Sequence, residues 1–66
     1  MNVDETIKLI FEERLPDKPR SYHIKFSNTD IEYVSKEYSR IIGGYIHIPK
    51  WLLERMNFDY SKYEVK

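Results

Sequence analysis

The chain is 66 residues long, contains no cysteine, and carries eleven acidic and eleven basic residues for a formal net charge of zero. One domain at most fits in this length, burying only ~60% of the surface its unfolded form exposes, with neither a disulfide nor a cysteine-based zinc site to help. Charge is spread evenly, without the basic tail of a generic phosphate-neutralising binder, and no apolar stretch approaches the ~20 residues of a membrane span.

Residues 3–15 read as a helix. Asn2 caps it, Glu5 completes a box-like start, and Val3, Ile7, Ile10 and Phe11 fall at i, i+4, i+7 and i+8 as a core-facing stripe. Leu9 lies off that stripe, on the charged side. Pro16 ends the helix, and LPDKPRS forms a stiff polar connector. The acidic start of the chain argues against an export signal, so a cytoplasmic setting is expected.

Ser21–Ser27 alternates as a strand, with Ile24 and Phe26 on one face and His23 and Lys25 on the other. In residues 30–42, Ile31 and Tyr33 fit the start of a hairpin strand, but a helical template fits more of the segment. Thr29 and Glu32 make a capping box, and Ile31, Val34, Tyr38, Ile41 and Ile42 share one arc. Gly43 and Gly44 follow where a left-handed helix end is wanted. Gly44–Ile48 alternates again, with Ile46 and Ile48 inward. Pro49 opens a two-turn helix, PKWLLERM, and Asn57 supplies a left-handed exit. Phe58 packs back, and a short last strand covers about residues 62–65. The expected fold is therefore α+β over residues 1–66: a small three-stranded sheet with about three helices, in the order α-β-α-β-α-β.

The sequence offers little to catalysis. No GxSxG elbow is present, the single glycine pair lacks the lysine and spacing of a phosphate-binding loop, and the carboxylate pairs Asp4/Glu5 and Glu12/Glu13 read as a solvated helix face. No catalytic residue, cofactor or metal is expected. His23 and His47 alone make a weak metal site. Tyr22, His23 and Lys25 on one strand, with Tyr45 and His47 on another, would form a base-stacking platform if those strands were neighbours. The ordinary reading, tyrosines as strand formers with a polar tip, is preferred.

Gly44–Phe58, GYIHIPKWLLERMNF, resembles the strand–IPK–helix core of AbrB/MazE-type swapped-hairpin DNA-binding domains. Ile46, Ile48, Pro49, Lys50, Leu52, Met56, Asn57 and Phe58 fall where that family has I, I, P, K, L, L, G and I, over about a quarter of the chain. The resemblance implies a small dimeric nucleic-acid-binding regulator, kept as the alternative function.

What remains after the core is assigned is a set of large side chains. Trp51 points away from Leu52, on the side of Arg55. Tyr33 lies opposite the Ile/Val stripe near Lys36, Glu37 and Arg40, and Leu9 is similarly left over. Trp, Tyr and Arg dominate interfaces, so Trp51, Arg55, Tyr33, Arg40 and Leu9 are the expected partner-binding residues. A competing reading places Trp51 in the core beside Phe58. The leading expectation is a non-enzymatic protein-binding module, a small accessory subunit or modulator of a larger complex. A homodimer is admitted, and a membrane partner is not expected. The composition, with no Ala or Gln and abundant Ile, Lys, Glu and Tyr, fits an AT-rich genome, viral or cellular, or a thermophile's preference for Lys and Glu, and a phage or archaeal source is expected.

Overall fold

The computed structural model describes residues 5–65, and within them the chain is mostly β. Six strands form two three-stranded antiparallel sheets: β1 (Thr6–Ile10), β2 (Glu13–Lys18), β3 (Ser21–Lys25), β4 (Ile31–Ser35), β5 (Arg40–Ile42) and β6 (Tyr45–Pro49). One helix, α1 (Lys50–Met56), and a 3-10 turn at Tyr60–Tyr63 follow. The expected α+β arrangement with about three helices is thus corrected to two small sheets and one helix. The first sheet, here the terminal sheet, has the order β1-β6-β5; the second is the β2-β3-β4 meander.

Both discarded helices fail for the same physical reason. Short apolar runs satisfy two periods at once. In β1 the inward residues are Ile7 and Leu9, at i and i+2, and Leu9 is fully buried while Ile10 is exposed. The β-branched Thr6, Ile7 and Ile10 favour the extended chain. The Asn2 cap and the Val3 stripe position lie outside the described residues. In the supposed helix 30–42, Val34 is buried, whereas Ile31, Tyr38 and Ile42 are exposed. That segment is β4, a turn and β5. Thr29 makes no capping box; its amide and hydroxyl meet Ser27 Oγ instead. Pro16 does not end a helix. It sits in the edge strand β2, where the register with β3 shifts between Leu15 and Lys18, and an edge bulge is where a strand tolerates proline.

The segments with unambiguous alternation match expectation. β3 turns Ile24 inward, followed by buried Phe26, and β6 turns Ile46 and Ile48 inward. Pro49, φ −58° and ψ 139°, caps α1, and Asn57, φ 55° and ψ 48°, closes it in the left-handed region. The helix is too short to stand alone. It is held by Leu53, which is fully buried.

These residues meet in one core. Ile7 and Leu9 of β1, Ile46 and Ile48 of β6, Ile24, Phe26, Val34 and Leu53 form a single cluster between the sheets. Each fully buried aliphatic side chain contributes about 1.5–3 kcal/mol relative to exposure. The C-terminal segment closes the open edge of β1, through a bridge between Leu9 and Glu64 and a hydrogen bond from Val65 N to Lys8 O at 2.9 Å. It is fastened further by Tyr63. The ring of Tyr63 packs 5.3 Å from Phe26 and 6.0 Å from Phe58, and its hydroxyl donates to the Asp30 carboxylate while accepting from the Ser27 hydroxyl (2.9 Å).

Two substitutions test this architecture. Gly43, at φ +62°, opens the two-residue turn between β5 and β6, where a left-handed first position favours glycine. Gly43→Val should lower the unfolding free energy by about 1–3 kcal/mol in a denaturant melt. Gly44→Ala, with open space around the added methyl, should be near neutral; equal effects would refute the turn assignment. Tyr63→Phe keeps the aromatic packing and removes only the hydroxyl bonds to the β3–β4 loop, so it should cost about 1–2 kcal/mol. A melt indistinguishable from wild type would show that the latch contributes nothing.

Candidate functional site

Alternation in the terminal sheet decides what its outer side displays. With Ile7, Leu9, Ile46 and Ile48 inward, Lys8 and Ile10 of β1, Tyr45 and His47 of β6, and Arg40 and Ile42 of β5 face out. The register then sorts them. Ile10 pairs with Tyr45, and Tyr45 with Ile42; Lys8 pairs with His47, and His47 with Arg40. The face therefore carries an apolar row, Ile10–Tyr45–Ile42, beside a basic row, Lys8–His47–Arg40. Ile10 and Ile42 are 51% and 59% exposed, more than half open to solvent despite their size. Lys8 Nζ lies 4.3 Å from the Tyr45 ring centroid and ties the rows together. None of the three strands contains an acidic residue, and neither Lys8 nor Arg40 enters an ion pair among the described residues.

Beyond Pro49, where β6 runs directly into α1, a second group of exposed side chains gathers. Tyr38 of the β4–β5 turn meets Trp51 edge-on at 5.1 Å, and the Arg55 guanidinium lies 5.9 Å from the Trp51 ring. Trp51 is 36% exposed and Tyr38 50%. Trp51 is thus not a core residue beside Phe58.

The structure divides the five expected partner residues. Trp51 and Arg55 come together, and Arg40 lies on the outer face of the terminal sheet. Tyr33 belongs to the meander, exposed and stacked on His23 at 4.3 Å. Leu9 is corrected: it is a fully buried core residue and presents nothing to a partner. Ile10, Ile42 and Lys8 are absent from the expected set because the helical period places Ile10 and Ile42 in the core; a two-residue period over TIKLI and RII shows them, as the alternation of β6 already turns Tyr45 outward. His23 and His47 lie in different sheets, so the supposed stacking platform does not assemble. Among the described residues no group of three or more His, Cys, Asp or Glu side chains could hold a metal.

The meander has a charged cluster of its own. Asp17 accepts from Arg14 Nη2 (2.7 Å) and Nε (3.2 Å), and Lys36 Nζ lies 3.1 Å away. Arg14 and Lys36 also stand over the Tyr22 ring, at 5.0 and 5.7 Å. This fastens the bulged edge strand to the turn after β4. The hydrogen bond from Arg14, helped by Lys36, lowers the Asp17 carboxyl from 3.8 to about 2. A depressed carboxylate stabilises the fold above its unfolded value and loses that contribution as pH falls through its folded one. The melting temperature should therefore drop between pH 3.8 and about 2, and Asp17→Asn should shrink that drop. An unchanged pH profile in the variant would show that the cluster does not couple to folding.

No protein-family model matches the chain, nor does any curated protein or solved structure.

Proposed function

We propose that this chain is a non-enzymatic protein-binding module, a small accessory subunit or modulator of a larger assembly, that receives its partner on the outer face of the terminal sheet. The observation that supports this reading is the row Ile10–Tyr45–Ile42. A chain this small gains most of its stability from apolar burial, yet it leaves two isoleucines open on one sheet face, one on each side of Tyr45. A contiguous exposed apolar patch with a polar border is the usual signature of a docking surface. Tyr38, Trp51 and Arg55, residue types that dominate binding energy, extend the exposed material at the Pro49 end of the sheet.

A second reading, a small dimeric nucleic-acid-binding regulator, draws support from the Lys8–His47–Arg40 row and from the resemblance over residues 44–58. Phosphate contact would use the bases but gain nothing from the isoleucines beside them, which is why the protein-binding reading ranks first.

Photo-crosslinking separates the two. Ile42→p-benzoylphenylalanine, introduced in cells that natively express the chain, should trap discrete protein adducts. The same group at Glu13, on the meander, should not trap them. Nucleic-acid adducts at position 42, together with tight DNA binding that falls steeply with salt, would replace the protein-binding reading with the regulator.

A further inference from the structure

We propose that the outer face of the terminal sheet takes an acidic amphipathic helix of a partner protein, its apolar stripe on Ile10, Tyr45 and Ile42 and its carboxylates on Lys8 and Arg40. This rests on the protein-docking reading above and adds the chemistry of the partner.

Charge selects acidity. The chain has zero net charge, but its topology segregates that charge. Among the strands, every acidic residue, Glu13, Asp17 and Glu32, lies in the meander, whereas the terminal sheet contributes Lys8, Arg40 and His47 and no acid. A second copy of this chain laid face to face would bring basic rows into one buried layer without a countercharge, and like charges across an interface cost affinity. A carboxylate-bearing partner meets the same groups favourably.

Geometry selects a helix. The two rows run across the strands. Three adjacent strands span about 9.6 Å at the usual interstrand spacing, close to the ~10.5 Å rise over seven helical residues. A helix lying along the apolar row thus places residues at i, i+3 or i+4, and i+7 on Ile10, Tyr45 and Ile42. The basic row is two residues away along each strand, about 6.8 Å, under one flank of that helix. An extended segment crossing the sheet would instead set its backbone amides and carbonyls against side chains, with no ladder to satisfy them. A helix satisfies its own. Nucleic acid would leave the isoleucines against sugar and phosphate.

The test uses the full chain, isotope-labelled, followed by heteronuclear NMR during titration with two helical peptides. Both carry the same leucine stripe; one has glutamate and the other lysine on the flanks. The glutamate peptide should move the resonances of Lys8, Ile10, Arg40, Ile42 and Tyr45 saturably and bind about tenfold more tightly than the lysine peptide. The double variant Lys8→Glu, Arg40→Glu, at solvent-facing positions, should invert that preference. Arg40→Gln alone, which removes one of the two charges and leaves Lys8 on the Tyr45 ring, should halve it on a logarithmic scale. Equal binding of both peptides, shifts confined to other surfaces, absence of binding, or these resonances responding only to a short oligothymidine would each overturn the proposal. Its failure is distinguishable from that of the broader reading. Protein adducts at position 42 whose linked segment is basic or extended would remove the acidic helix and leave the docking surface standing.

Discussion

The pairing of β1 with β6 holds the molecule together. It joins Thr6 to Pro49 and Ile10 to Tyr45, so it closes a loop that contains the whole meander and β5. Without it the terminal sheet would be a bare β5–β6 hairpin, and an isolated hairpin is marginal in water. The same pairing delivers four of the eight core side chains, Ile7, Leu9, Ile46 and Ile48, from two strands. Its cost is entropic, because a distant pairing orders much chain before contacts repay it. The register is therefore strongly specified. A slip of β1 by one residue along β6 would bury Lys8 and turn Ile7 and Leu9 to water.

The elements legible in the sequence are those whose period had no competitor. YIHIP and SYHIK alternate polar and apolar residues strictly, and both are strands. PKWLLERMN carries its own boundaries, a proline that cannot extend a ladder and an asparagine that tolerates the left-handed region, and the helix ends there. TIKLIF and IEYVSKEYSRII lack such arbitration. Ile7, Ile10 and Phe11 suit a helix as well as Ile7 and Leu9 suit a strand, and only the distant partner β6 decides between them. Gly43 shows how a correct local inference can attach to the wrong element. Its positive φ follows from the glycine pair alone, but the residue turns a hairpin instead of ending a helix. Trp51 and Arg55 were legible as neighbours for the same reason that their helix was. Ile10 and Ile42 were hidden because their exposure follows from a period that the local sequence left undetermined.

Charge behaves in the same way. Along the chain, acids and bases alternate so evenly that no segment looks basic. Folding sorts them, because β1 and the β5–β6 hairpin are remote in sequence and adjacent in space. Lys8 comes from one end of the chain, Arg40 and His47 from the other. Together they border a single apolar row. Composition bounds the total charge of a domain, whereas topology sets the local field a partner meets.

The edges of the terminal sheet narrow how such a partner can engage. Strand addition needs a free run of backbone donors and acceptors. The outer edge of β1 is occupied by Glu64 and Val65, which bond to it in the manner of a short strand. The opposite edge, β5, is only three residues long, Arg40–Ile42, and ends at the Gly43–Gly44 turn. An added strand would gain few ladder bonds there. What this sheet can offer over a larger area is side chains, and their arrangement is set by the pleat: isoleucine and tyrosine in one row, bases in the next. Recognition on this sheet therefore depends on the face, and on a partner that brings its backbone already satisfied.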